Sequence, residues 1–201
     1  MANPKHDAPS PNAPRALPDE VPNDLREVKL EEKTRLGLVG MAATGLVSKL
    51  CSQADVLEQF QRLPRPLVFT NGVFDVLHRG HVVYLEKARA IGASLIVALN
   101  TDSSARRLGK GPERPLNNEV DRAVVLAGLA SVSMVTWFDE DTPLALITAL
   151  KPDFLVKGGD YDMQELAETR VVEAYGAQAL AIPFVDGYST TTLVDRIRVL
   201  R

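Results

Sequence analysis

The 201 residues carry 23 Lys and Arg against 26 Asp and Glu, a formal net charge of −3, and 45% of them are hydrophobic; these are ordinary values for a globular chain with a buried core, and the length suits one domain plus a tail. The mild acidity gives no support to a nucleic-acid or membrane-surface partner, and a single cysteine, Cys51, excludes a disulfide-stapled scaffold. The longest charge-free apolar stretch, residues 36–48, holds Gly37, Gly40 and Gly45, falls short of the roughly 20 residues that span a bilayer, and starts too late for a signal peptide, so a cytoplasmic enzyme or binding protein is expected.

Six of the thirteen prolines fall within the first 22 residues. Such a composition cannot bury enough apolar surface to offset its ordering entropy. Residues 1–30 are therefore expected to be disordered. Residues 1–50 are expected to form an N-terminal extension to a domain at 51–201, with a short helix packed on the domain as the plain reading of 31–50. Ser52 can cap a helix to about residue 63, with Val56, Leu57, Phe60 and Leu63 on one face, before Pro64 and Pro66 stop it. Residues 67–70 read as a buried strand, 80–91 as a helix ended by Gly92, and 94–99 as a strand apolar on both faces. Asn118 caps a helix to about residue 130. Then follow a strand at 133–138, a helix at 143–150, a strand at 154–156, a helix at 166–175, a strand at 178–182 and a last helix from Ser189 onward.

Strands that are continuously apolar belong to parallel sheets covered on both faces. Their alternation with helices predicts an α/β fold, a Rossmann-like doubly wound parallel sheet. Ligands in such folds bind outside the carboxyl ends of the strands, which directs attention to the loops after Thr70, Asn100, Phe138, Val156 and Ile182.

Two of the three histidines lie in the stretch Asn71-Gly72-Val73-Phe74-Asp75-Val76-Leu77-His78-Arg79-Gly80-His81, which leaves the first strand and opens a helix. Gly72 would let the backbone approach a ligand closely. A helix N-terminus is an anion site, and His78 and His81, three apart, face the same side of it. Two imidazoles beside free amides suit a phosphate whose oxygens gain charge during attack; the plainer alternative is a pair of polar helix-capping residues. Zinc would lack ligands, because neither a Cys nor a third His is close in sequence, and no metal residue is assigned. No Gly-x-Gly-x-x-Gly follows the first strand and no Gly-x4-Gly-Lys-Ser/Thr occurs, which disfavours a dehydrogenase and a P-loop kinase.

Gly72-Val73-Phe74-Asp75 followed by His78-Arg79-Gly80-His81 resembles the nucleotidyltransferase superfamily of the cytidylyltransferase type. Asn100-Thr101-Asp102, Arg122 at the start of a long helix, and Tyr188-Ser189-Thr190-Thr191 match it in the same order. The resemblance spans about residues 66–198. Within the superfamily the chain resembles the D-glycero-β-D-manno-heptose 1-phosphate adenylyltransferases, through Thr70 to Asp75, Leu99-Asn100-Thr101-Asp102-Ser103-Ser104, Arg107-Leu108-Gly109-Lys110-Gly111, Glu140-Asp141-Thr142-Pro143 and Leu155-Val156-Lys157-Gly158-Gly159-Asp160-Tyr161. About 50 residues precede the domain, too few for the sugar kinase to which this activity is often fused, so the stand-alone form is expected.

The resemblance implies transfer of AMP from ATP to heptose 1-phosphate, giving ADP-heptose and pyrophosphate for lipopolysaccharide core synthesis. It implies ATP contacts by Thr70, Asn71, Gly72, Val73, Phe74, Asn100, Asp102, Arg122, Lys157, Gly158, Ser189, Thr190 and Thr191. His78 and His81 would stabilise the transition state as well as hold ATP. Lys110, in a basic loop with Arg106, Arg107 and Arg114, would close over phosphates, and Asp75, Gly159, Asp160 and Tyr161 would meet the sugar phosphate. Other readings stand beside these: a solvated loop for Lys110, a helix-surface ion pair for Arg122, an N-cap for Ser189 and loop-end caps for Asp75 and Asp102. Mg²⁺ would travel with ATP and need few protein ligands. The implied partners are ATP and a sugar 1-phosphate, without nucleic acid or membrane, and a homodimer is compatible. Glycerol-phosphate cytidylyltransferases usually carry an arginine before Ser-Thr-Thr, whereas this chain has Phe184-Val185-Asp186-Gly187-Tyr188, which weakens a CTP-using reading. The alternatives are a cytidylyltransferase or another adenylyltransferase acting on a different small phosphorylated substrate such as glycerol 3-phosphate, and a nucleotide sensor without turnover, which would be expected to have lost one of these elements.

Overall fold

Five apolar runs become the strands β1 (Leu67–Gly72), β2 (Ser94–Asn100), β3 (Met134–Phe138), β4 (Phe154–Gly158) and β5 (Gln178–Ile182) in the computed structural model, which describes residues 46–200 apart from 110, 112, 160 and 161. The expectations for residues 1–45, Lys110, Asp160 and Tyr161 lie outside the described residues. All five strands run parallel in the order β3-β2-β1-β4-β5. Among the described residues the α-helices are α1 (Gln53–Gln59), α2 (Arg79–Arg89), α3 (Asp102–Arg107), α4 (Glu119–Ala127), α5 (Leu144–Leu150), α6 (Ala167–Ala174) and α7 (Thr190–Val199).

The period-2 alternation of strand side chains divides the core into two layers. Val68, Leu95, Val97, Leu99 and Val135 point to one face, where Leu85 and Ala88 of α2 and Ala123, Leu126 and Ala127 of α4 cover them. Leu67, Phe69, Ile96, Ala98 and Leu155 point to the other, against Val56 of α1, Ile147 and Leu150 of α5 and Val172 of α6. Every residue of β2 is buried, which is why that strand shows no polar alternation.

Three differences from the expected elements have local causes. Ser52 caps α1 by accepting from the Asp55 amide, as its position suggests, but the helix tightens into a 3-10 turn at Phe60–Arg62, and Leu63, held extended before Pro64, ends it. β1 and β4 run two residues further than their apolar runs, because Asn71 and Gly72 pair with β2 and Lys157 and Gly158 pair with β5. α3 was not expected: Thr101 accepts from the Ser104 amide and starts a six-residue helix in a segment that reads as a polar loop.

Residues ahead of 51 also belong to the packed body. Leu46 packs on the core, Val47–Lys49 forms a 3-10 turn, Leu50 bridges Val135, and the Cys51 amide donates to the Val135 carbonyl at 2.9 Å. β1 lies between β2 and β4, so the chain leaves it in opposite directions on its two sides, and its carboxyl end is the place where a crevice opens.

Candidate active site

A cleft of about 610 Å³ opens at the carboxyl ends of β1 and β4. The stretch Asn71 to Asp75 and the first two turns of α2 line one side, and Phe184, Val185 and Tyr188 to Thr191 line the other. Two helix N-termini, those of α2 and α7, therefore face one space, and each presents unpaired amides and a positive dipole end.

His78 is the N-cap residue of α2, with extended backbone and no capping bond from its side chain. Its ring stacks on His81, centroids 3.9 Å apart and 20° from parallel, and Phe74 leans on His81 from 5.3 Å. Gly80 permits this stack, because a Cβ there would sit 2.9 Å from the His78 ring and 3.2 Å from Tyr188 Cβ. Burial lowers the pKa of His78, since desolvation disfavours the imidazolium. The His78 side chain thus makes no capping bond, and both histidines line the cleft.

Gly72 lines the cleft, and a Cβ there would lie 3.0 Å from the ring of Phe74, a residue held at φ 48, so the glycine also makes room for the protein's own side chain. Asp75 lines the cleft as well, with its carboxylate bonded inside the protein. Its carboxylate accepts from Arg114 Nη1 at 2.7 Å and from the amides of Leu116 and Asn117 at 2.8 and 2.9 Å. Burial alone would raise its pKa, but these three donors outweigh it and the net shift is downward. Asp75 thereby holds the 114–117 segment against the cleft, and Arg114 and Pro115 join the lining.

Five expected ATP contacts, Thr70, Asn100, Asp102, Arg122 and Lys157, are not among the residues that line the cleft. Thr70 is fully buried, its hydroxyl 2.6 Å from the Tyr84 hydroxyl. The Arg122 side chain is 0% exposed. Its guanidinium donates to the carbonyls of Val73, Asn100 and Asn117 and to Asp102 Oδ1, all within 3.0 Å. Arg122 acts as an internal clamp rather than a surface ion pair, and Asn100 and Asp102 are among the groups it clamps. Lys157 is likewise not a lining residue; its ammonium donates to Asn71 and Glu168.

At the far wall, Ser189 caps α7 by accepting from the Thr192 amide, and Thr190 and Thr191 line the cleft beside it. Gly158 lines the cleft, and Gly159 sits at φ +126. A Cβ at either would come within 2.9 Å of the Phe184 ring, which covers both glycines while 58% exposed. Arg114, expected in the basic loop with Lys110, does line the cleft, whereas Phe184 was missed; the pointers available were its position directly after β5 and the paired glycines. No cluster of three His, Cys, Asp or Glu that could hold a metal occurs among the described residues, and no described helix is long and apolar enough to cross a membrane.

Comparison with known proteins agrees with this geometry. The cytidylyltransferase-like family profile matches residues 69–196. The D-beta-D-heptose 1-phosphate adenylyltransferase of Bordetella bronchiseptica is 56% identical over 160 residues, covering 79% of this chain and 99% of that protein. The bifunctional protein HldE of Syntrophotalea carbinolica is 53% identical over 146 residues, covering 73% of this chain but only 30% of that longer protein. Among solved structures, the lipopolysaccharide core biosynthesis protein of Thermoplasma volcanium superposes with a TM-score of 0.51 at 28% identity, over 61% of this chain and 98% of that one.

Proposed function

The chain belongs to the cytidylyltransferase-like family, and from that premise we propose that it transfers AMP from ATP to heptose 1-phosphate, giving ADP-heptose and pyrophosphate for lipopolysaccharide core synthesis. It is a nucleotidyltransferase of the adenylyl type, as its 56%-identical relative is by name. The observation that carries the reading in the structure is the stacked His78–His81 pair at one helix N-terminus facing the Ser189–Thr191 N-terminus across a single cleft.

In the proposed reaction an anionic oxygen of the sugar 1-phosphate attacks the α-phosphorus of ATP. The bond from that phosphorus to the bridging oxygen breaks, and pyrophosphate leaves with the electron pair. The nucleophile is already ionised at neutral pH, so the residues position and stabilise rather than remove a proton. His78, His81 and the α2 amides donate to the oxygens that gain charge. The amides and hydroxyls of residues 189–191 hold further phosphate oxygens at α7. Lys110 closes over the phosphates, and Gly159, Asp160 and Tyr161 approach the sugar phosphate. Mg²⁺ fits this arrangement when carried by the phosphates of ATP, because such an ion keeps several waters and needs few protein ligands. The reading fits a cytoplasmic location, where ATP is available, and is compatible with a homodimer.

The test is kcat/KM for ATP and for CTP with heptose 1-phosphate, and for ATP with glycerol 3-phosphate. ATP with heptose 1-phosphate is expected to be the productive pair, with CTP poorer by as much as about 10⁴, the discrimination a polar site achieves when the wrong base leaves its groups unpaired. Equal turnover with CTP, or a preference for glycerol 3-phosphate, moves the protein to the alternative branch.

A further inference from the structure

Lys157, the fourth residue of β4, is bonded within the protein rather than open to a ligand. Its Nζ donates to Glu168 Oε1 at 3.0 Å and to Asn71 Oδ1 at 2.7 Å. The side chains of Lys157 and Glu168 are only 12% and 9% exposed. A buried ion pair is a weak stabiliser, because taking both charges out of water costs about as much as their attraction returns. What distinguishes this pair is its third member, since Asn71 lines the cleft.

An ammonium group only donates, so the Asn71 atom that faces it is the carbonyl oxygen of the side chain. With that oxygen committed to Lys157, what the Asn71 side chain can offer a ligand is its NH₂. We infer that Lys157 is a positioning residue acting through Asn71, which it holds so that the amide NH₂ donates to a phosphate oxygen of the bound substrate. Glu168 keeps the ammonium in place from the other side. Without the lysine, the amide is free to turn its oxygen toward the cleft, where it would repel a phosphate. The inference rests on the cleft being the nucleotidyltransferase site proposed above, and it replaces the expected direct contact between Lys157 and ATP.

Four variants test it, each with a thermal melt. Asn71→Asp keeps the shape and the bond to Lys157 but replaces the NH₂ with an oxygen. It is expected to fold and to lose about 10² in kcat/KM, the usual cost of removing one donor aimed at developing charge. The double variant Lys157→Met/Glu168→Gln removes the ammonium while keeping charge balance, and is expected to lose up to about 10², as a displaced positioning group does. The combined variant that adds Asn71→Ala to these two changes should lose no more in total than Asn71→Ala alone, because one interaction is lost either way. Separate calorimetric titrations with a non-hydrolysable ATP analogue and with heptose 1-phosphate identify which phosphate the NH₂ meets, through whichever Kd rises. Additive losses would show that Lys157 touches substrate itself and would overturn the inference. Unchanged kcat/KM in a folded Asn71→Asp or in the folded double variant would overturn it as well. If the double variant does not fold, Asn71→Asp alone decides. The titrations need no turnover, so a wild-type protein that binds both ligands but fails to make ADP-heptose would overturn the proposed reaction and leave the result for Asn71 readable.

Discussion

His78 and His81 share one stack, yet their surroundings give them separate chemistry. His81 is flanked by Phe74 on one side and His78 on the other, and as a half-buried residue at the cleft it contributes little to the core. His81→Ala is therefore expected to leave the melting temperature nearly unchanged and to lower kcat by about 10²–10³, the range for one lost donor at a charge-developing oxygen, with a much smaller effect on ATP affinity. Unchanged kcat with a steep rise in the nucleotide Kd would make His81 a ground-state binder instead. His78 is distinguished by titration. Burial disfavours its charged form, so in the free protein it is expected to protonate below the ordinary value of 6.5. Bound polyphosphate favours the charged form and should move the midpoint upward. Proton NMR of the imidazole, with and without a non-hydrolysable ATP analogue, reads both directions. A free-protein midpoint at or above 6.5 would show that desolvation does not control this ring.

Among the elements, the strands were readable because burial on both faces leaves them no polar alternation, as in β2. The motif histidines were readable because their chemistry depends on a spacing of three within one helix. What could not be read is pairing across long sequence separations. Arg122 looks like a phosphate-binding residue in a linear sequence, but its partners Val73, Asn100 and Asp102 lie 20 to 49 positions away. α3 escaped because six residues are too few to display a helical period, and its start depends on one Thr101 hydroxyl. Phe184 escaped because its place over Gly158 and Gly159 is set by β4–β5 pairing. The clamp reading of Arg122 has a direct consequence. Arg122→Met strands the Asp102 carboxylate and three carbonyls, and removing one partner of a buried charged pair costs about 3–5 kcal/mol. A large fall in melting temperature is expected, with the ATP Kd of the protein that remains folded close to wild type. A stable variant with a weakened Kd would restore Arg122 as a phosphate ligand.

For the molecule as a whole, the open question is where the working unit begins. The Pro-rich composition of residues 1–30 argues against a role in the core, whereas residues 46–51 are part of it. Leu50 and Cys51 are 5% and 0% exposed and belong to opposite hydrophobic layers. Lys49 Nζ donates to the Leu129 carbonyl at 3.0 Å, and the Cys51 amide donates to Val135. A chain beginning at residue 46 keeps all of these contacts and every described residue that lines the cleft. It is expected to hold kcat/KM within tenfold of the full chain and to melt within a few degrees of it. A chain beginning at residue 52 loses the packing of Leu46 and Leu50, and burying one leucine contributes about 1.5–3 kcal/mol. Losing about 3 kcal/mol from a total stability of about 5–15 kcal/mol is expected to lower the melting temperature by roughly ten degrees, at about 2–4 °C per kcal/mol for a chain of this size. Melting curves and kcat/KM on both truncations decide the matter. A loss beyond tenfold in the folded chain that begins at 46 would assign the preceding residues to the site or to an essential interface, and a chain that begins at 52 with wild-type stability would show that the 46–51 segment only rests on the sheet.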